Sequence, residues 1–137
     1  MIVSIITVVK NDFHNIEKTI NSVFKQNYKK IEYIVIDGNS TDGTLEIIKK
    51  NKKKISKIHS EKDDNLYQAL NKGIKMSKGD VVGILHSGDI YASKSSIKKS
   101  LEFIKKNRLD FVISNLKIID NTNMVYRYIT TSNFFRR

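Results

Sequence analysis

Short runs of apolar, largely β-branched residues alternate along this chain with segments whose apolar residues recur at helical spacing, and no other feature restricts the fold as tightly. Ile2–Val9 is almost wholly apolar, as a strand covered on both faces must be, and Ile31–Asp37 is a second such run that ends on an acid. Between them Phe13, Ile16, Ile20, Val23 and Phe24 mark one helical face. Asn11 and Asp12 are good capping types, so the helix is expected to open there and to run to about Gln26. Leu45, Ile47 and Ile48 begin a second helix, and Ile55–Ser60 suits a short strand. Leu66, Leu70 and Ile74 give a third helix that Gly79 is expected to end. Val81–Leu85, a helix through Ile97, Leu101 and Ile104, and Phe111–Ser114 follow. The order βαβαβαβαβ predicts a mostly parallel, Rossmann-like sheet with helices on both faces, right-handed crossovers and ligands at the carboxyl ends of the strands. After Asn115 the pattern becomes Leu116–Asp120 and Met124–Tyr128 around Asn121-Thr122-Asn123, an antiparallel hairpin.

With 137 residues there is material for one core, and 39% hydrophobic with 28% charged residues is a globular balance, so residues 1–137 are read as one domain. Cysteine is absent, which excludes disulfides, thiolate metal sites and a cysteine nucleophile. Nothing approaches the roughly 18 apolar residues of a membrane span, and the apolar N-terminus reads as a strand rather than a signal peptide. A cytoplasmic location is the expectation. The net charge of +11 suits an anionic ligand or surface, and the lysines cluster at Lys49–Lys54 and Lys98–Lys106 on what look like solvated helix faces. Nucleic acid is not expected, because the aromatic residues are scattered and form no base-stacking platform.

Polar residues collect at the strand ends: Thr7 with Asn11, Asp37 with Ser40 and Asp42, and Asp89. One carboxylate at such an edge can accept an N–H from a base, and another can hold a divalent cation against a diphosphate. Each also has a structural use, as a strand end, a helix cap or a turn. His14, His59 and His86 lie in different elements without metal-ligand spacing. No G-x-G-x-x-G, G-x-x-x-x-G-K-[ST] or G-x-S-x-G is present.

Taken together, Ser4-Ile5-Ile6-Thr7-Val8-Val9-Lys10-Asn11, Ser22-Val23-Phe24-Lys25-Gln26 and Tyr33-Ile34-Val35-Ile36-Asp37-Gly38-Asn39-Ser40-Thr41-Asp42-Gly43-Thr44 resemble the opening of family 2 glycosyltransferases of the GT-A fold. Glu61-Lys62-Asp63-Asp64-Asn65-Leu66-Tyr67-Gln68-Ala69-Leu70-Asn71-Lys72-Gly73 and Leu85-His86-Ser87-Gly88-Asp89 continue the match in register, in the manner of the capsule and exopolysaccharide type. The resemblance implies a nucleotide site at Thr7, Val8, Val9, Asn11, Asp37 and Ser40. It implies a sugar or donor site at Asp63, Asp64, Asn71, Lys72, Ser87 and Gly88, and a metal ligand, Asp89, for Mg2+ or Mn2+.

The chain departs from the family where Gly38 follows Asp37, since a second acid is common there, and where His86-Ser87-Gly88-Asp89 keeps only the last acid of the metal motif. The family's general base is usually supplied further along a chain, so 1–137 is expected to be the N-terminal, nucleotide-sugar-binding part of the fold. Asp110 and Asp120 are bases by chemistry alone. The function expected is inverting transfer of a sugar from a nucleoside diphosphate donor to a surface-polysaccharide or lipid-linked acceptor, with a peripheral membrane contact through the lysines. The alternatives are a donor-binding or scaffold domain without transfer activity, and, behind it, a nucleic-acid-binding domain.

Overall fold

A strand whose seven side chains are all buried needs neighbours on both edges and layers on both faces, and β1 (Val3–Val9) has them. In the computed structural model, which describes residues 1–120, 122 and 124–129, the strand order is β3-β2-β1-β4. Here β2 is Ile31–Asp37, β3 Lys57–Ser60 and β4 Val81–Ile84, and every pairing is parallel. Val9 is level with Asp37, and Asp37 with Ser60. Beyond β4, the Leu85 and Ser87 N–H groups still donate to the carbonyls of Ile6 and Val8. The four strands therefore deliver their carboxyl ends to one edge, as the alternation in the sequence implied.

Side chains alternate across a strand, and the two faces take different partners. Ile6, Val8, Ile34 and Ile36 form one cluster with Ala69 of α3 (Leu66–Met76), joined by the partly buried Leu70 and Met76. The other face carries Ile5, Thr7, Tyr33 and Val35. α1 (Ile16–Phe24) buries Ile16, Ile20 and Val23, α2 (Thr44–Lys50) buries Ile48, and the two helices pack against each other. Gly73 of α3 sits on the sheet so closely that a Cβ there would lie 2.5 Å from Ile6 Cγ2.

Several boundaries differ from the sequence reading. α1 starts at Ile16 with Asn15 as its N-cap, because Asn11 (φ +52°) and Asp12 are spent on a preceding turn in which the Asp12 carbonyl accepts from Asn15 and Ile16. α3 opens at Asn65, whose side chain accepts from the Gln68 N–H, and ends at Met76 as Ser77 becomes extended. Gly79 is therefore no helix cap. It is required by contact instead, since a Cβ there would lie 2.7 Å from the Ser4 backbone nitrogen and 2.9 Å from the Ile2 carbonyl.

The chain divides into two compact units, Met1–Ser96 and Ile97–Arg137. The second contains α4 (Ser96–Asn107) from Ile97 on, with Ile97 and Leu101 buried, and a hairpin of β5 (Leu116–Ile119) and β6 (Val125–Ile129). The Asp120 carboxylate accepts from Thr122 N–H and hydroxyl and from Met124 N–H, closing the hairpin turn. Asn121 and Asn123 of the expected turn lie outside the described residues. The strand expected at Phe111–Ser114 is absent: this segment is irregular, and Phe111 and Ile113, 43% and 50% exposed, lack the double cover of an inner parallel strand. Among the described residues no helix is long and apolar enough to cross a membrane.

At the amino edge of the sheet Glu32 accepts from the Ser4 hydroxyl, the Lys78 N–H and Lys57 Nζ, at 2.6, 2.7 and 2.7 Å. One carboxylate thereby ties β1, β2, β3 and the α3–β4 turn together. Burial works against its charge, but Lys57, Ser4 and Lys78 outweigh it and hold the carboxyl at about 2, against an ordinary 4.5. The folded form thus binds its proton less readily than the unfolded chain. The stabilisation is complete above pH 4.5 and fades as pH falls toward 2. Glu32→Gln should lower stability by about 1–3 kcal/mol at pH 7, and urea denaturation should show the gap to the unaltered protein shrinking in acid.

Candidate functional site

A cavity of about 300 Å³ opens at the carboxyl edge, between the end of β1, the start of the β2–α2 loop and the N-terminus of α3. Val8, Val9, Leu66 and Ala69 supply apolar wall, and Lys10, Asp63, Asp64 and Asn65 supply polar rim. Gly38 completes it, and a Cβ added there would lie 3.4 Å from the Lys10 side chain. A larger concavity of about 460 Å³ lies at the amino edge, lined in part by Phe24, Lys29, Lys53 and Lys54. It gathers none of the candidate site residues, whereas Val8, Val9, Asp63 and Asp64 all line the smaller cavity.

Two carboxylates have an oxygen left over: Asp63, which lines the smaller cavity, and Asp37, which precedes Gly38 of its wall. Asp37 is fully buried: its Oδ2 accepts from the Ser40 N–H at 3.1 Å and the Ser60 hydroxyl at 2.7 Å, while Oδ1 is buried without a partner. The Asp63 side chain is 6% exposed; its Oδ1 accepts from Lys72 and its Oδ2 is likewise buried without a partner. A buried acceptor lacking a donor is costly, so each oxygen is a place where a bound N–H or O–H is favoured. Lys72 also pairs with Glu61, whose other oxygen is 3.2 Å from His59 Nε2. Its hydrogen bonds to Asp63 and then Glu61 hold the Lys72 ammonium above its usual pKa, and those from Lys72 and then His59 hold Glu61 below its own. Lys72 is thus committed to two carboxylates.

Several expected nucleotide contacts have other duties. Thr7 has no exposed surface: the neighbouring Tyr33 hydroxyl donates to Thr7 Oγ1 at 3.0 Å inside the core, and only Val8 and Val9 of the expected strand end reach the cavity. Burial raises the Tyr33 phenol well above its ordinary pKa, which keeps it a donor. Asn11 and Ser40 join two loops, with Asn11 N–H donating to Ser40 Oγ at 2.8 Å and Thr41 N–H to Asn11 Oδ1 at 2.8 Å. Phe13 N–H donates to Asp42 Oδ2, and Asp12 N–H to Thr44 Oγ1, extending the seam. Asp42 is held below the ordinary carboxylate range, chiefly by the Thr44 hydroxyl. Asn71 is exposed on α3 and does not line the cavity.

The turn after Leu85 brings Ser87, Gly88 and Asp89 to the same edge. The Ser87 hydroxyl donates to Asp12 Oδ2 at 2.6 Å, and Gly88 takes φ +91°. Thr19 of α1 accepts from the Gly88 N–H and donates to the Asp89 carbonyl. The Asp89 side chain is exposed, and among the described residues no hydrogen bond or ion pair occupies its carboxylate. Nor, among those residues, do three His, Cys, Asp or Glu converge to make a protein-only metal cage. A cation here would be held by Asp89 together with ligand oxygens and water, which suits Mg2+ or Mn2+ beside a diphosphate. Asp120 suits a general base poorly, since the Thr122 hydroxyl first and then two N–H groups hold its carboxyl below the usual range. Asp12, Thr19 and Ser60 were missed by sequence reasoning. A threonine within the apolar stripe Ile16, Ile20 and Val23 is the one signal that could have marked Thr19.

Comparison with known proteins identifies the family and the fold. The family model for glycosyl transferase family 2 matches residues 4–137. The UDP-Glc:alpha-D-GlcNAc-diphosphoundecaprenol beta-1,3-glucosyltransferase WfgD of Escherichia coli is 29% identical over 129 residues, covering 93% of this chain and 51% of that protein. S. aureus TarS 1-349 in complex with UDP-GlcNAc superposes with a TM-score of 0.75 at 26% identity, over 93% of this chain and 37% of that one. The fold is also that of mannosyltransferase PcManGT from Pyrobaculum calidifontis in complex with GDP-Man and Mn2+, with a TM-score of 0.70 at 21% identity over 74% of this chain and 32% of that one. The chain spans about half the length of WfgD and about a third of the two structures.

Proposed function

Since the chain belongs to glycosyl transferase family 2, we propose that it forms the donor-binding part of an enzyme that moves a sugar from a nucleoside diphosphate to a saccharide acceptor. The observation that carries this reading is the pair of orphaned buried oxygens, Asp63 Oδ2 in the wall of the cavity and Asp37 Oδ1 one residue before Gly38 of that wall. The nucleoside lies against Val8, Val9 and Ala69; a base N–H satisfies Asp37 and a hydroxyl of the donor satisfies Asp63. Lys72 holds Asp63 Oδ1 and so orients the carboxylate. The diphosphate then extends toward the loop of Ser87, Gly88 and Asp89.

A divalent cation between the diphosphate and Asp89 would draw off the charge that collects on the leaving nucleoside diphosphate. Asp89 has the exposed carboxylate that this requires, with no partner among the described residues. Transfer with inversion, by direct displacement, needs a base for the acceptor hydroxyl, and the committed Asp120 does not supply one. A lipid-linked acceptor is the choice that the name of WfgD supports. Such an acceptor would bring the protein to a membrane surface, where a net charge of +11 favours anionic headgroups.

Calorimetric titration with UDP- and GDP-sugars, each with and without Mn2+, tests the reading. Binding of at least one nucleotide is expected, strengthened by Mn2+ about tenfold, or ~1.4 kcal/mol. Failure of every nucleotide to bind would instead favour a scaffold without donor binding.

A further inference from the structure

The loop that carries Asp89 is not held by its own residues alone. Thr19 lies fully buried on α1, seventy positions away in the chain from Asp89, and its single hydroxyl serves two peptide groups of that loop. Oγ1 accepts the Gly88 N–H at 3.1 Å and donates its proton to the Asp89 carbonyl at 2.9 Å. The Asp89 N–H in turn donates to the His86 carbonyl at 3.1 Å, closing a tight turn through Gly88 at φ +91°. The backbone is therefore fixed on both sides of the Asp89 Cα, while among the described residues the carboxylate itself has no partner.

We infer that Thr19 is a positioning residue for the proposed metal ligand: it sets the direction in which Asp89 presents its carboxylate without touching nucleotide, sugar or cation. The inference rests on the reading of Asp89 given above. Only a side-chain atom that donates and accepts at once can make both bonds, which at this size means a hydroxyl. Valine has nearly the same shape and neither capacity. With valine the Gly88 N–H and Asp89 carbonyl lose their shared partner, and the turn is free to rotate the carboxylate away. A cation held by one protein carboxylate has no second protein acid to compensate, so a misdirected Asp89 costs affinity directly.

The test is nucleotide binding by Thr19→Val, Thr19→Ser and Asp89→Asn, each measured by calorimetry with UDP alone and with UDP plus Mn2+. Electron paramagnetic resonance of the bound Mn2+ gives a second readout. Thr19→Val should bind UDP alone as the unaltered protein does, yet lose most of the roughly tenfold gain that Mn2+ provides, since outer-shell partners of metal ligands typically contribute about 10–100-fold. Thr19→Ser should keep that gain. Should Thr19→Val fail to fold, Thr19→Ala takes its place, and the same contrast with Thr19→Ser is required. Equal loss with and without Mn2+ would reduce Thr19 to a packing residue and overturn the inference. If Asp89→Asn abolishes the Mn2+ gain while Thr19→Val retains it, the positioning role alone is wrong. If Asp89→Asn retains the gain, the metal reading falls and the inference with it.

Discussion

Asp89→Asn is expected to leave the fold intact and to remove most of the Mn2+-dependent part of nucleotide binding, whereas Asp37→Asn should weaken binding whether or not Mn2+ is present. The two acids sit in opposite environments. Asp89 is exposed, and its backbone rather than its carboxylate is engaged, so an isosteric amide disturbs no protein contact and removes the anionic oxygen a hard cation needs. Asp37 is fully buried, and its Oδ2 holds Ser40 and Ser60 while Oδ1 waits for a donor. An amide there turns one oxygen into an N–H group. In either orientation a buried acceptor is lost, at a cost of about 1–3 kcal/mol, which is five- to hundredfold in affinity if it falls on the nucleoside contact. Calorimetry of both variants, with and without Mn2+, separates the roles. An identical metal-dependent loss in the two would show that the site has been misassigned even though the fold is right.

The largest effect on stability is expected from Gly79→Ala. The added carbon would lie 2.7 Å from both the nitrogen and the hydroxyl oxygen of Ser4 and 2.9 Å from the Ile2 carbonyl, and two of these atoms belong to the backbone beside or within the central strand. Backbone in a sheet cannot step aside as a side chain can. The same shift would strain the Gly79 N–H bond to Ser4 Oγ and the Asp80 N–H bond to the Ile2 carbonyl. A loss of about 3 kcal/mol, or roughly 10 °C in melting temperature, is the expected outcome. Gly83→Ala is the internal control, because its carbon would meet only Ile5 Cδ1, the movable end of a side chain, at 2.7 Å. Equal losses in the two variants would show that backbone contact is not what requires glycine at 79.

The sheet edge was legible in the sequence because it depends only on periodicity: β-branched runs and helical stripes fix the alternation, and parallel alternation fixes which strand ends meet. Val8, Val9, Asp63 and Asp64 accordingly line one cavity. Thr7 was not legible as a core residue, since its hydroxyl is satisfied by Tyr33 from the adjacent strand, a partner that register alone supplies. Asn11 and Ser40 are types that serve a ligand or a neighbouring loop equally well, and only the tertiary contact decides. Lys72 looked like a group for phosphate or sugar, but Glu61 and Asp63 claim it. The segment at 111–114 has strand composition without strand surroundings, and composition could not tell the difference.

The seam between residues 11–13 and 40–44 limits how the site can vary. Asn11, Asp12 and Phe13 each give a backbone N–H to the second loop, and Asn11 takes one in return from Thr41. Adding or deleting a single residue in either loop would move every later donor past its acceptor, so neither can change length while the other stays as it is. For anyone grafting a different specificity onto this scaffold, the two loops are one exchangeable cassette.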